Sequence, residues 1–151
     1  MIKITDKPFD PGAEVANFER AAKGAGAVVS FLGKVREEAN SEKVTSLFLE
    51  HYPGVTENSI AKIETAAQKR WAIKNTLIIH RVGALTPGEP IVMVCVASAH
   101  RRDAFEAADF LMDYLKTEAM FWKKEIRGAS EAWIEPRDED YKDAQRWREG
   151  N

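Results

Sequence analysis

The hydrophobic positions of this chain change period several times, and each change predicts an element. "MIKIT" reads as a short strand, and "PGAEVANFERAAKG" as a helix with Pro11 near its start and Gly24 near its end. "GAVVSFLGKVRE" and "KVTSLFLEHY" are rich in β-branched and aromatic residues; the polar turn "EANSE" between them predicts a hairpin. "TENSIAKIETAAQKRWAI" spaces Ile60, Ile63, Ala67 and Trp71 at near-helical intervals, with Thr56 as N-cap. "NTLIIHRVGAL" and "PIVMVCVASAH" flank "TPGE" and predict a second hairpin. From about Asp103, Ala104, Ala108, Leu111, Leu115 and Ala119 form one helical stripe. The stretch "DYLKTEAMFWKKEI", Asp113 to Ile126, reads as a continuation of that helix with aromatics and lysines side by side. "EAWIEPR" closes as a strand, and the tail "DEDYKDAQRWREGN" is polar with a terminal helical turn. Hairpins interrupted by helices predict an α+β fold on a mostly antiparallel sheet. Without repeats, low-complexity tracts or a linker, residues 1–151 read as one domain.

Composition narrows the function classes. A chain of 151 residues, 44% hydrophobic and 30% charged, can bury a core without a metal or disulfide staple. A net charge of −2 argues against a general nucleic-acid or anionic-membrane surface, but leaves room for a local basic pocket. No apolar run approaches the roughly 20 residues that span a bilayer, and "MIKITDKPFDPG" lacks the apolar region of a signal peptide. One cysteine forms no internal disulfide and suits a reducing cytoplasm.

Candidate chemistry gathers at a few places. In "VCVASAHRRDAFEAADF" a buried strand turns through His100, Arg101 and Arg102 into a helix. Its N-terminal N–H groups and two guanidiniums favour an anion, although Asp103 as a cap with both arginines in solvent explains the same pattern. His51 and His80 sit in strands, where each satisfies a backbone group as readily as it binds a ligand. No His/Cys spacing marks a metal site. Cys95 lies mid-strand in "IVMVCVAS" without a basic neighbour and reads as an inert small hydrophobe. "FLGKVREEA" places Lys34 and Arg36 on one face of a strand end, as an anion clamp or an ordinary charged rim. Lys116 and Lys123, seven residues apart, would share a face of a continuous helix about 10 Å apart, with Lys124 pointing roughly 100° away. A desolvated lysine serves as base, electrophile or covalent handle; a solvated helix face is the competing reading.

Six segments, "FLGKVR", "LEHYPGVTENSI", "IIHRVGALTPGE", "VASAHRRDAF", "MDYLKTEAMFWKKE" and "AWIEPR", follow one another from about residue 26 to 137. In that order they resemble the large, catalytic subunits of molybdopterin synthase, the MoaE family. The resemblance implies an α/β hammerhead type of fold and a sulfurtransferase of molybdenum-cofactor biosynthesis. Its substrate would be cyclic pyranopterin monophosphate (precursor Z), converted to molybdopterin by installing two dithiolene sulfurs. The sulfur would come from the C-terminal Gly-Gly thiocarboxylate of a small ubiquitin-like subunit. Two large subunits would form a homodimer core, with a small subunit at each end of a heterotetramer. Lys116 and Lys123 match the family's catalytic lysines. Lys116 would polarise the thiocarboxylate and assist proton transfer, and Lys123 would stabilise charge as the cyclic phosphate opens; the roles can be exchanged. Lys34, Val35, Arg36, His100 and Arg101 match substrate-binding segments, the His100–Arg101 pair serving the neighbouring subunit's pocket. Arg137 matches a further pocket arginine, and Lys124 and Glu125 flank Lys123 as rim contacts.

A sulfur transferase without a usable cysteine receives sulfur already activated on a partner, and the reading needs no metal or redox cofactor. Met120 stands where the family often has proline, which would let the helix run on. The alternative is a non-catalytic receptor for the ubiquitin-like tail, or a pterin carrier of the same fold. The intact basic set argues against that degenerate copy, and the charge balance against a nucleic-acid binder.

Overall fold

The computed structural model describes residues 1–39 and 42–149. Its elements run β1 (Ile2–Thr5), α1 (Pro11–Ala21), β2 (Ala27–Lys34), β3 (Glu38–Ala39), β4 (Glu42–Lys43), β5 (Ser46–His51) and α2 (Val55–Arg70). They continue with β6 (Ile73–Arg81), β7 (Gly83–Leu85), β8 (Pro90–Ser98), α3 (Arg101–Thr117), β9 (Phe121–Arg127), β10 (Ser130–Ile134) and α4 (Asp138–Glu149). Among the described residues the strands form two four-stranded sheets, β1-β6-β8-β2 and β10-β9-β5-β7, and the small ribbon β3-β4. All pairs are antiparallel except β1 with β6. The α+β class on mostly antiparallel sheet therefore holds.

The first sheet is the spine, and the apolar run of β8 shows why. Val92, Val94 and Val96 face the main core with Ile60 and Ile63 of α2 and Ala104, Ala108 and Leu111 of α3. The alternating residues Met93, Cys95 and Ala97 face Phe18 and Ala22 at the α1 end. A strand covered on both faces needs apolar residues at every position, so the run lacks polar alternation. Pro87 and Gly88 (φ 87°) turn the chain between β6 and β8, with Glu89 accepting from the Thr86 N–H at 2.6 Å. The β6–β8 hairpin stands as expected, but the "GAL" end of its first strand swings away at Gly83 (φ 81°) and joins the second sheet as β7.

Four expectations change. The strands around "EANSE" do not pair with each other: β2 takes β8 as its neighbour, while β5 lies between β7 and β9 in the other sheet. The link between them is long enough to carry its own ribbon, β3-β4, and Asn40 and Ser41 of the expected turn lie outside the described residues. Thr56 is not the N-cap. Gly54 (φ 83°) holds that position and donates its N–H to Glu57, while Thr56 is fully buried inside the first turn. The tail is a three-turn helix rather than a terminal turn, with Gly150 and Asn151 outside the described residues.

The fourth change matters most. The helix expected to run through Ile126 stops at Thr117, and "FWKKEIR" is strand β9. The Thr56 hydroxyl donates to the Met120 carbonyl at 2.8 Å, and the Met120 N–H donates to the Ser59 hydroxyl at 3.3 Å. Two hydroxyls of α2 thus satisfy Met120's backbone groups outside a helix, and β5 offers the next six residues a ladder. Tertiary pairing overrides the helix propensity of Lys and Glu, and no proline is needed to break the helix.

Gly26 packs so closely that a Cβ there would lie 2.3 Å from the Ala99 carbonyl oxygen, just before α3. Gly26→Ala should therefore cost about 1–3 kcal/mol of stability, measured by urea unfolding. An unchanged midpoint would mean that this junction yields freely.

Candidate active site

Helix α3 carries Lys116 in its last turn, and the reversal at residues 118–120 returns the chain so that β9 brings Lys123 back beside it. In β9, Lys123 is in register with Leu49 of β5 and Ile134 of β10, so it points inward with the buried Leu49. Burial chiefly, and then the positive charge of Lys116, lowers the pKa of the Lys123 amine; Asp140 opposes the shift. The two lysines do come together, but by strand alternation after a broken helix and not along one helix face.

The same alternation sends Lys124 to the opposite face. There it pairs with Glu131 at 3.0 Å and lies 5.3 Å from the centroid of the Trp133 ring. Glu125 returns to the Lys123 side and pairs with Arg127 at 2.7 Å.

Arg137 and Lys116 converge on a residue that sequence reasoning left in the polar tail. The Asp140 side chain is 9% exposed, and its Oδ1 lies 3.5 Å from Lys116 Nζ and 3.2 Å from Arg137 Nη2. Its Oδ2 accepts from the Arg137 backbone N–H at 2.9 Å. Burial is the largest single influence on the Asp140 carboxyl and raises it, but the hydrogen bonds from Arg137 and the charges of Lys116 and Arg137 together hold it below its usual range. An i, i+3 spacing in "RDED" was the available signal.

His80, at the end of β6, stacks on Phe121 with ring centroids 3.9 Å apart, and its Nδ1 sits 2.8 Å from the Arg81 carbonyl. Burial first, then Lys123, push its pKa down to about 3, against the weaker effect of that backbone hydrogen bond. His80 is thus a neutral wall of the lysine site and satisfies a backbone group. Cys95 is fully buried in β8, and burial raises its thiol to about 11.

The remaining candidates divide between the ends of the first sheet. Gly33, Val92 and His80 share one row across β2, β8 and β6, so Lys34, Val35 and Arg36 leave the sheet at the His80 end, two strand spacings or about 10 Å away. Lys34 and Arg36 are exposed and Val35 is buried. Only Lys34 belongs to the strand, after an irregularity at Gly33, so the shared-face argument does not carry to Arg36. His100 caps α3 at the other end, beside Ala27 and Ser98. Fifteen helical residues separate Arg101 from Lys116, about 22 Å along the axis. One chain does not bring His100 and Arg101 to the lysines.

The arrangement supplies converging cations, one of them desolvated, beside an apolar wall and without a nearby nucleophilic thiol. It suits polarising and protonating an anionic reactant that brings its own nucleophile.

Comparison with known proteins bears on this chemistry. The family model described as "MoaE protein" matches residues 4–118. The molybdopterin synthase catalytic subunit of Pseudomonas aeruginosa is 49% identical over 148 residues, covering 98% of this chain and 99% of that protein. The solved structure of the molybdopterin biosynthesis MoaE protein from Burkholderia ambifaria is similar with a TM-score of 0.83 and 44% identity, over 98% of this chain and 97% of that one. The Helicobacter pylori complex of subunits 1 and 2 of molybdopterin-converting factor contains a chain of the same fold, at TM-score 0.76 and 20% identity, covering 90% of this chain and 91% of that one.

Two measurements check the electrostatics. Below pH 6.5 an unfolded chain protonates His80 while the folded one resists until about 3, so the stability this group contributes is lost as pH falls through that window. Urea unfolding should show the loss with a slope of up to about 1.4 kcal/mol per pH unit, flattened in His80→Phe; parallel curves for the two proteins would contradict it. Lys123→Met, which removes a desolvated ammonium, should raise stability at neutral pH by about 1 kcal/mol. A lower melting temperature would show that the ammonium is well paired.

Proposed function

The chain belongs to the MoaE family, and we infer from this, and from the site just described, that it is the catalytic subunit of a molybdopterin synthase. It is an enzyme of molybdenum-cofactor biosynthesis. The observation that carries the mechanism is the cluster of Lys116, Lys123 and Arg137 around one anion position, with Cys95 out of reach in β8. Sulfur then arrives on a partner: the C-terminal Gly-Gly thiocarboxylate of a small ubiquitin-like subunit, transferred to cyclic pyranopterin monophosphate. The Helicobacter pylori complex of two subunits supports such a partner.

Within that reading Lys116 keeps the thiocarboxylate, while the proton transfer passes to Lys123 and the phosphate to Lys116. Lys116 reaches solvent and an acidic partner, which suits a fixed cation that polarises the thiocarboxylate and holds the phosphate. Lys123 is desolvated beside another cation, which suits an amine that gives and takes a proton during thiolate attack. Arg36 with Lys34 and Val35 borders the site from the end of β2. Arg137 adds a second guanidinium, and Glu125 and Lys124 remain at its rim.

His100 and Arg101, at the far end of the sheet, complete the pocket of a second copy. Support comes from the length of α3 and from exposed apolar residues on the β2 edge, where Val28, Phe31 and Leu32 are all at least 36% exposed. A homodimer core of a heterotetramer follows, working in the cytoplasm. A tail receptor or carrier without turnover is disfavoured because it gives no use for a desolvated lysine.

The deciding experiment mixes the protein with thiocarboxylated small subunit and the cyclic pterin monophosphate, then assays molybdopterin. Lys116→Ala should lose at least about a hundredfold in turnover while Lys124→Ala stays near wild type. No product from the wild-type protein would sink the enzyme, and equal losses in the two variants would overturn the strand-face assignment.

A further inference from the structure

We propose that Asp140 is a positioning residue of this site, and that its carboxylate stands where the incoming anion binds and is replaced by it. The inference rests on reading Lys116, Lys123 and Arg137 as the reactive cluster. Two cations from different elements, Lys116 of α3 and Arg137 ahead of α4, converge on one oxygen, Asp140 Oδ1, at 3.5 and 3.2 Å. Arg137 also reaches Oδ2 through its backbone N–H at 2.9 Å and its Nε at 3.5 Å. This is the donor set a bound carboxylate or phosphate oxygen needs, already satisfied by the chain's own carboxylate.

Asp140 holds the two side chains in register while the site is empty. Without a counter-charge, Lys116, Lys123 and Arg137 would repel one another and Lys116 would swing into solvent. Asp140 is the carboxylate in direct contact with Lys116 and Arg137, while Glu139 and Asp143 act on Arg137 only through their charge, and a carboxylate of the same size and charge exchanges with Asp140 without rearranging the donors.

The fold also allows the exchange. Asp140 sits in the first turn of α4, whereas the helix is fastened mainly by its last turn. Arg146 pairs with Asp109 and Asp113 at 2.7 and 2.8 Å, the Trp147 indole donates to Asp113 at 2.7 Å, and Arg148 pairs with Glu118 at 3.0 Å. The first turn can yield while those contacts hold.

The incoming anion is either the partner's tail or the pterin phosphate, and two titration arms separate them. One uses the small subunit with an ordinary C-terminal carboxylate, the other inorganic phosphate. Asp140→Asn keeps an acceptor for the Arg137 N–H but removes the competing charge. It should bind at least one probe roughly three- to tenfold more tightly than wild type, as expected when a self-occupied state is removed. The probe that gains identifies the anion that takes the position. Asp140→Glu should return affinity towards wild type, and Asp140→Ser provides a second neutral variant that can still cap Arg137. Unchanged or weaker binding of both probes by both neutral variants, with Lys116→Ala still weakening binding, would overturn the role of Asp140 alone. If Lys116→Ala also binds both probes like wild type, the reading of the site itself fails.

Discussion

The structure depends on how the chain is held at Met120. Thr56 and Ser59, one turn apart on α2, satisfy the carbonyl and N–H of Met120 at the point where α3 has run out. The Thr56 hydroxyl also accepts from the Tyr52 N–H at 3.0 Å, so a single fully buried side chain ties the end of β5, the start of α2 and the entry to β9. Its bonds are formed away from water, where leaving any of these groups unpaired would be costly. They convert a continuation of α3 into a reversal, and the reversal brings Lys123 beside Lys116. Helix geometry would have set the two lysines about 10 Å apart on a solvated face. The reversal instead puts one amine in the interior and leaves the other at the mouth.

That asymmetry gives the lysines different chemistry. Lys123 shares its surroundings with Phe121, the neutral ring of His80 and the inward side of β9, and its amine is lowered by burial and by Lys116. His80 adds no further positive charge to Lys116, Lys123 and Arg137 because its own burial keeps it unprotonated down to about pH 3. The stacked His80–Phe121 pair therefore acts as a polarisable, uncharged wall, and the field in the site is set by Lys116, Lys123, Arg137 and Asp140. A desolvated amine close to a fixed cation gives up its proton more readily than an ordinary lysine.

Much of the fold was legible because its signals are local. The amphipathic periods of α2 and α3, the proline at the start of α1 and the Pro87–Gly88 turn all carry their cause within a few residues. The apolar run of β8 announced a buried strand. The β6–β8 pairing was legible from its short turn, but the partners of β2 and β5 were not, since these two look like a hairpin until one knows that β8 and β9 compete for them; that competition is settled by contacts far apart in sequence. The end of α3 was hidden for the same reason, because the hydroxyls that stop it lie about sixty residues earlier. Lys116, Lys123 and Arg137 could be named from their motifs, yet their geometry could not, and Asp140 looked like one acid among several in a polar tail.

The separation of the basic residues has a consequence for assembly. Within one chain the first sheet fixes the distance between its two ends, so the segment at Lys34–Arg36 and the cap at His100–Arg101 stay apart whatever the side chains do. A rigid doubly covered sheet does not bend to close that gap. Either His100 and Arg101 have no part in the chemistry, or a second copy presents them. The β2 edge of the first sheet, with Val28, Phe31 and Leu32 exposed, lies alongside the second possibility: it offers backbone groups without a strand partner among the described residues and apolar area that runs from near the α3 N-terminus at Val28 towards the Lys34 end. A dimer formed there would add guanidinium charge to each site without burying an unpaired cation in either monomer, since each chain folds with Arg101 and Arg102 exposed. Assembly and the completion of the anion site would then be one event.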